Sequence, residues 1–76
     1  MSTFEKVSEI LKEVKPTKDL SAVTDIVEGG YIDSFELMDL ITKLSEAFAV
    51  EIPIDEITPE NFNSVEAIAK MLDGMK

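Results

Sequence analysis

The stretch Gly29-Gly30-Tyr31-Ile32-Asp33-Ser34-Phe35-Glu36-Leu37-Met38 decides the fold. Two glycines break whatever precedes them. Asp33 then offers a side-chain oxygen to the first free amides of a helix. Glu36 follows at the spacing of a capping box. Ser34 falls in the first turn, where a helix points its unpaired N–H groups and the positive end of its dipole outward. Such a place suits a phosphate.

The helix that starts there is expected over residues 34–49. At about 3.6 residues per turn, Leu37, Leu40, Ile41, Leu44 and Phe48 gather on one side, with Ala47 at the margin. That side is core. Glu36, Asp39, Lys43 and Glu46 fall opposite. Phe35 does not join the apolar stripe; it lands near Asp39, Thr42 and Glu46. Met38 sits on the boundary, close to the direction of Ser34. An aromatic ring and a thioether are thus offered beside the serine, among carboxylates. The bland alternative folds Phe35 back against Tyr31 or Ile32, since single exposed apolar side chains are ordinary.

Before this helix lies another, expected over Thr3–Val14. Ser2 and Glu5 have capping-box spacing, and Phe4, Val7, Ile10, Leu11 and Val14 form its apolar stripe. Lys15-Pro16-Thr17 ends it, because the residue before a proline resists the helical region. The segment up to Asp33 has no periodicity. Leu20, Val23, Ile26 and Val27 read as anchors pinning a long loop, with a short helical turn around residues 21–26. The glycines at its end supply looseness before the serine.

After the Ser34 helix, Val50-Glu51-Ile52-Pro53-Ile54 is an apolar connector in which Pro53 prevents a continuing helix. One or two helical turns follow over residues 55–62, with Thr58 as cap, Pro59 at the first helical position, and Ile54, Ile57 and Phe62 inward. The closing helix is expected over residues 64–75. Asn63 and Glu66 have capping-box spacing, and Val65, Ile68, Ala69, Leu72 and Met75 form its stripe.

Composition narrows what such a chain does. Its 76 residues make one domain, residues 1–76, with a modest core. Hydrophobic residues at 45% and charged residues at 30% give a globular rather than a disordered balance. There is no Cys and no His. That removes disulfides, thiolate metal sites, a Cys nucleophile, the usual general base and any Ser-His-Asp triad. No loop alternates Asp or Asn ligands in the manner of a calcium site. The net charge of −9 repels nucleic acid and anionic membranes and steers basic partners. No apolar run approaches a membrane span, and no signal pattern follows Met1. The expectation is a soluble cytoplasmic monomer that is not an enzyme.

Three segments together carry a family resemblance: Ile32-Asp33-Ser34-Phe35, Phe48-Ala49-Val50-Glu51-Ile52-Pro53, and Asn63-Ser64-Val65 with Ile68. In this order, and in an acidic chain of this length, they resemble the acyl carrier proteins. The resemblance implies an all-α four-helix bundle with a short third helix and a long loop between helices one and two. It implies that a phosphopantetheinyl transferase attaches 4′-phosphopantetheine to Ser34 from coenzyme A, with Asp33 assisting. The arm's thiol would then hold an acyl group as a thioester. A loading ligase and a downstream synthase or transferase with basic docking surfaces would recognise Phe35, Glu36, Met38, Asp39 and Glu46.

Phe35 stands where fatty-acid carriers usually have Leu, and Lys43 and Ser45 dilute the acidic run. Gly30-Tyr31-Ile32-Asp33 looks more like dedicated carriers, some of which hold amino acids, as D-alanyl carriers do. The cargo is therefore open between a fatty-acyl or polyketide group and an aminoacyl group. An unmodified acidic interaction module is the remaining alternative. If an acyl chain is sheltered between the helices, Met38, Leu44, Ile52, Ile57, Ile68 and Met71 or Leu72 would line the space; equally they would simply close-pack.

Overall fold

The structure is a computed structural model that describes residues 2–75. Its α-helices are α1 (Thr3–Val14), α2 (Ser34–Phe48), α3 (Pro59–Phe62) and α4 (Val65–Gly74). A 3-10 turn, Ile54–Glu56, precedes α3. Among the described residues there is no strand. The expected all-α bundle with a short third helix is what the chain forms.

Each helix start follows from a local cap. Ser2 accepts from the Glu5 amide while Glu5 bonds back to the Ser2 amide, completing the first capping box. Thr58 caps α3 ahead of Pro59, which has no amide to leave unpaired. Ser64 caps α4, accepting from the Ala67 amide at 3.0 Å. The expected role of Asn63 as that cap is therefore wrong. Its side chain is claimed by the loop before α2 instead.

The core joins Val7 and Leu11 of α1, Leu40, Ile41 and Leu44 of α2, Phe62 of α3, and Val65, Ile68, Ala69 and Leu72 of α4. Loop residues Leu20, Ile26, Ile32 and Ile52 complete it. Each fully buried side chain of this size contributes about 1.5–3 kcal/mol. Helix α1 packs on both α4 and α2, and α3 packs on α4. The molecule measures 29 × 27 × 18 Å. Its thinnest dimension is about two helix diameters. No helix among the described residues is long and apolar enough to cross a membrane.

Four further expectations are corrected. Helix α2 stops at Phe48, because Ala49 turns left-handed (φ 53°) and closes its end. The segment around residues 21–26 forms turns rather than a helix, although Leu20 and Ile26 are buried as expected. Ile54 is 87% exposed, not inward, since the 3-10 turn it opens carries it away from the core. Phe4, placed in the stripe of α1, lies at its edge and is exposed.

Candidate functional site

Asp33 is extended (φ −93°, ψ −175°) and is the N-cap of α2. Its Oδ1 accepts from the Glu36 amide at 2.8 Å, and its carbonyl accepts from the Leu37 amide at 2.9 Å. Glu36 Oε1 accepts in return from the Asp33 amide at 3.0 Å. The reciprocal pair satisfies two amides at the helix start that would otherwise lack partners. Ser34 is the first residue of the helix and is exposed. The amides of Ser34 and Phe35 have no acceptor earlier in the helix, so the dipole at this end favours an anion on the Ser34 oxygen.

Glu36 is engaged a second time. Its Oε2 lies 3.4 Å from the Lys15 ammonium, and both side chains are partly buried, at 27% and 33% exposure. The contact ties the end of α1 to the first turn of α2. At this exposure such a pair contributes about 0–1 kcal/mol, so its effect is positional.

The loop before Ser34 is tied down rather than loose. The Ile26 amide donates to the Asn63 carbonyl at 2.8 Å. Asn63 Oδ1 accepts from the amides of both Val27 and Glu28 at 3.1 Å, and its amide nitrogen donates to Glu28 Oε1. Beyond this clasp, the Gly30 amide donates to the Val27 carbonyl and the Tyr31 amide to the Ile26 carbonyl. Gly30 adopts φ 74°, a region that suits glycine. A Cβ on Gly29 would lie 2.6 Å from the Asp25 carbonyl oxygen. The two glycines thus permit tight turns and do not supply looseness. Ile32, 5% exposed, anchors the chain one residue before the cap.

The residues that the resemblance marks for partner recognition separate into two groups. Phe35 is 86% exposed and Met38 59% exposed; the alternative that folds Phe35 onto Tyr31 or Ile32 does not occur. Asp39 and Glu46 are also exposed. Glu36 is instead held by the cap and by Lys15. Tyr31 is half-buried, with the Lys18 ammonium 5.1 Å from its ring centre. Sequence reasoning missed Lys15 and Asn63. Neither has a local signal, because their partners lie far along the chain. Among the described residues no cluster of three or more acidic side chains is placed to hold a metal.

Ser34 thus presents its hydroxyl at a capped helix start of an acidic helical bundle. The family profile described as "Phosphopantetheine attachment site" matches residues 4–72. The chain is 33% identical over 66 residues to aminoacyl carrier protein 1 of Bradyrhizobium diazoefficiens, covering 87% of this chain and 72% of that protein. It is 30% identical over 66 residues to the D-alanyl carrier protein of Streptococcus uberis, covering 87% and 75%. It is 27% identical to the D-alanyl carrier protein of Listeria welshimeri over the whole of both chains. No solved structure matches the chain significantly. The chain belongs to the phosphopantetheine-attachment carrier family and is a carrier, not an enzyme.

Proposed function

We propose that Ser34 carries the phosphopantetheine arm and that the cargo on its thiol is an aminoacyl group. One observation carries the attachment: Ser34 is the exposed first residue of a helix whose start is fixed on both sides by the Asp33–Glu36 box. The residues fit the group. The helix start favours the phosphate's charge, the hydroxyl is accessible to a transferase, and Asp33 keeps the turn in place. When bound, the arm supplies a thiol that holds its cargo as a thioester. The chain's own residues present the attachment point and do no bond chemistry.

Two observations favour the aminoacyl branch over the fatty-acyl or polyketide one. The relatives compared above are D-alanyl and aminoacyl carriers. In addition, Leu44, Ile52, Ile68 and Leu72 are at most 9% exposed and share one packed cluster, while Met38 faces outward. A long acyl chain would have to part these side chains; a small amino acid needs no such shelter. Phe35, Met38, Asp39 and Glu46 form the face offered to basic partners, namely the transferase, a loading ligase and a downstream acceptor enzyme. Charge complementarity there speeds encounter more than it strengthens binding.

Loading tests the cargo. The phosphopantetheinylated protein is incubated with ATP and either an amino-acid-adenylating ligase supplied with D-alanine or a fatty-acyl ligase. The aminoacyl reading expects a hydroxylamine-labile mass gain with the amino acid. Efficient fatty-acyl loading with no aminoacyl loading contradicts it.

A further inference from the structure

A cleft opens beside the attachment serine. Val27, Ile32, Asp33, Ser34 and Leu37 line it, and its volume is about 270 Å³. Its floor is apolar and comes from two elements, with Val27 and Ile32 from the loop and Leu37 from α2. The Val27 wall is fixed on both sides: its amide donates to Asn63 Oδ1 and its carbonyl accepts from the Gly30 amide. Ile32 lines the cleft and is only 5% exposed. The volume lies below the about 300–1,000 Å³ of sites that enclose a whole ligand. The cleft therefore suits one segment of a ligand.

Which segment follows from what grows out of the Ser34 oxygen, and here the inference rests on Ser34 being the attachment point. A phosphopantetheine arm begins as a phosphodiester. A methylene follows, then a quaternary carbon bearing two methyl groups; amides and the thiol come later. The phosphodiester belongs with the helix start. The methyl pair is the first apolar group beyond it and the one nearest the cleft along the arm. Asp33 also lines the cleft, while its Oδ1 is held by the Glu36 amide as the helix cap. Phe35 and Met38 do not line the cleft. We propose that the cleft between Val27, Ile32 and Leu37 seats the geminal dimethyl group of the arm, removing those methyls from water and leaving the Phe35 face uncovered for partners.

The test uses uniformly ¹³C,¹⁵N-labelled protein loaded from unlabelled coenzyme A by a phosphopantetheinyl transferase. Peptide mass mapping first locates the arm. Isotope-filtered nuclear Overhauser spectra are then recorded between the arm's two methyl signals and the labelled side chains. The expected result is cross-peaks to the methyls of Val27, Ile32 and Leu37, with shifts of those methyls between the unmodified and modified forms. In Val27→Thr, which keeps the shape and adds a hydroxyl, the arm remains on Ser34 and the cross-peaks weaken several-fold; Leu37→Met is the second variant should Val27→Thr fail to fold. An arm on Ser34 with no cross-peak to these residues overturns the seat and leaves the carrier reading standing. An arm absent, or found on another residue, overturns both.

Discussion

Replacing Asn63 with Ala should loosen the loop that presents Ser34 while sparing the bundle. The change removes the Oδ1 acceptor shared by the Val27 and Glu28 amides, both at 3.1 Å, and the donor to Glu28. The bond from the Ile26 amide to the Asn63 carbonyl survives, because it is backbone. A net hydrogen bond is worth about 0.5–1.5 kcal/mol. The Val27 bond is partly buried and belongs near the middle of that range; the exposed Glu28 bond belongs at its low end. Together they predict a loss of about 1–2 kcal/mol. A domain of 76 residues has about 4–11 kcal/mol in all, so the protein stays folded. With a urea slope of about 1 kcal/mol per molar, the midpoint falls by about 1–2 M. Amide hydrogen exchange gives the location: protection at Val27 and Glu28 should drop by about tenfold per 1.4 kcal/mol, with α4 affected only through global unfolding. An unchanged midpoint together with unchanged protection at Val27 would refute the clasp.

Further perturbations separate core, surface, helix cap and a loop carboxylate. Phe62→Ala, at a fully buried position, should cost about 3–5 kcal/mol, whereas Phe35→Ala should stay within about 0.5 kcal/mol; thermal melts of the two variants decide, and a large loss from Phe35→Ala would mean that the ring is packed in solution. Asp33→Ala should cost about 0.5–2 kcal/mol through the lost cap, and Asp33→Ser much less, since Ser also caps. The Ser21 hydroxyl and amide both donate to Asp19 and hold its carboxyl below its ordinary value of 3.8. That contribution is complete above the ordinary value and is lost as pH falls through the folded one. Ser21→Ala should therefore lower stability at neutral pH more than in strong acid, as read from urea midpoints at the two pH values.

Local chemistry made much of this structure legible. The boxes Ser2–Glu5 and Asp33–Glu36 are short-range, and both form as their spacing implies. The stripes of α1, α2 and α4 are periodic, and Val7, Leu11, Leu40, Leu44, Ile68 and Leu72 are buried accordingly. Ser34 and the exposed Phe35 follow from the same wheel. What stayed hidden is decided across the chain. Asn63 and Ser64 are both good caps by sequence, and the choice between them rests on loop amides 35 and 36 residues away that take the Asn63 side chain. Lys15 meets Glu36 because α1 packs on α2. Ala49 closes α2 in a left-handed conformation without the glycine that usually announces one. Ile54 looks inward because it neighbours apolar residues, yet a turn of three residues has no face long enough to bury it. The cargo is the least legible part, because the arm rather than the chain holds it.

Ser34 is the proposed point of attachment. The most direct measurement is the intact mass of the protein after incubation with coenzyme A and a broad-specificity phosphopantetheinyl transferase. The account predicts a gain of one phosphopantetheine on the wild type and none on Ser34→Ala, with both proteins melting at similar temperatures because Ser34 is exposed. A wild type that gains no mass, or a Ser34→Ala variant that still gains it, would contradict the account.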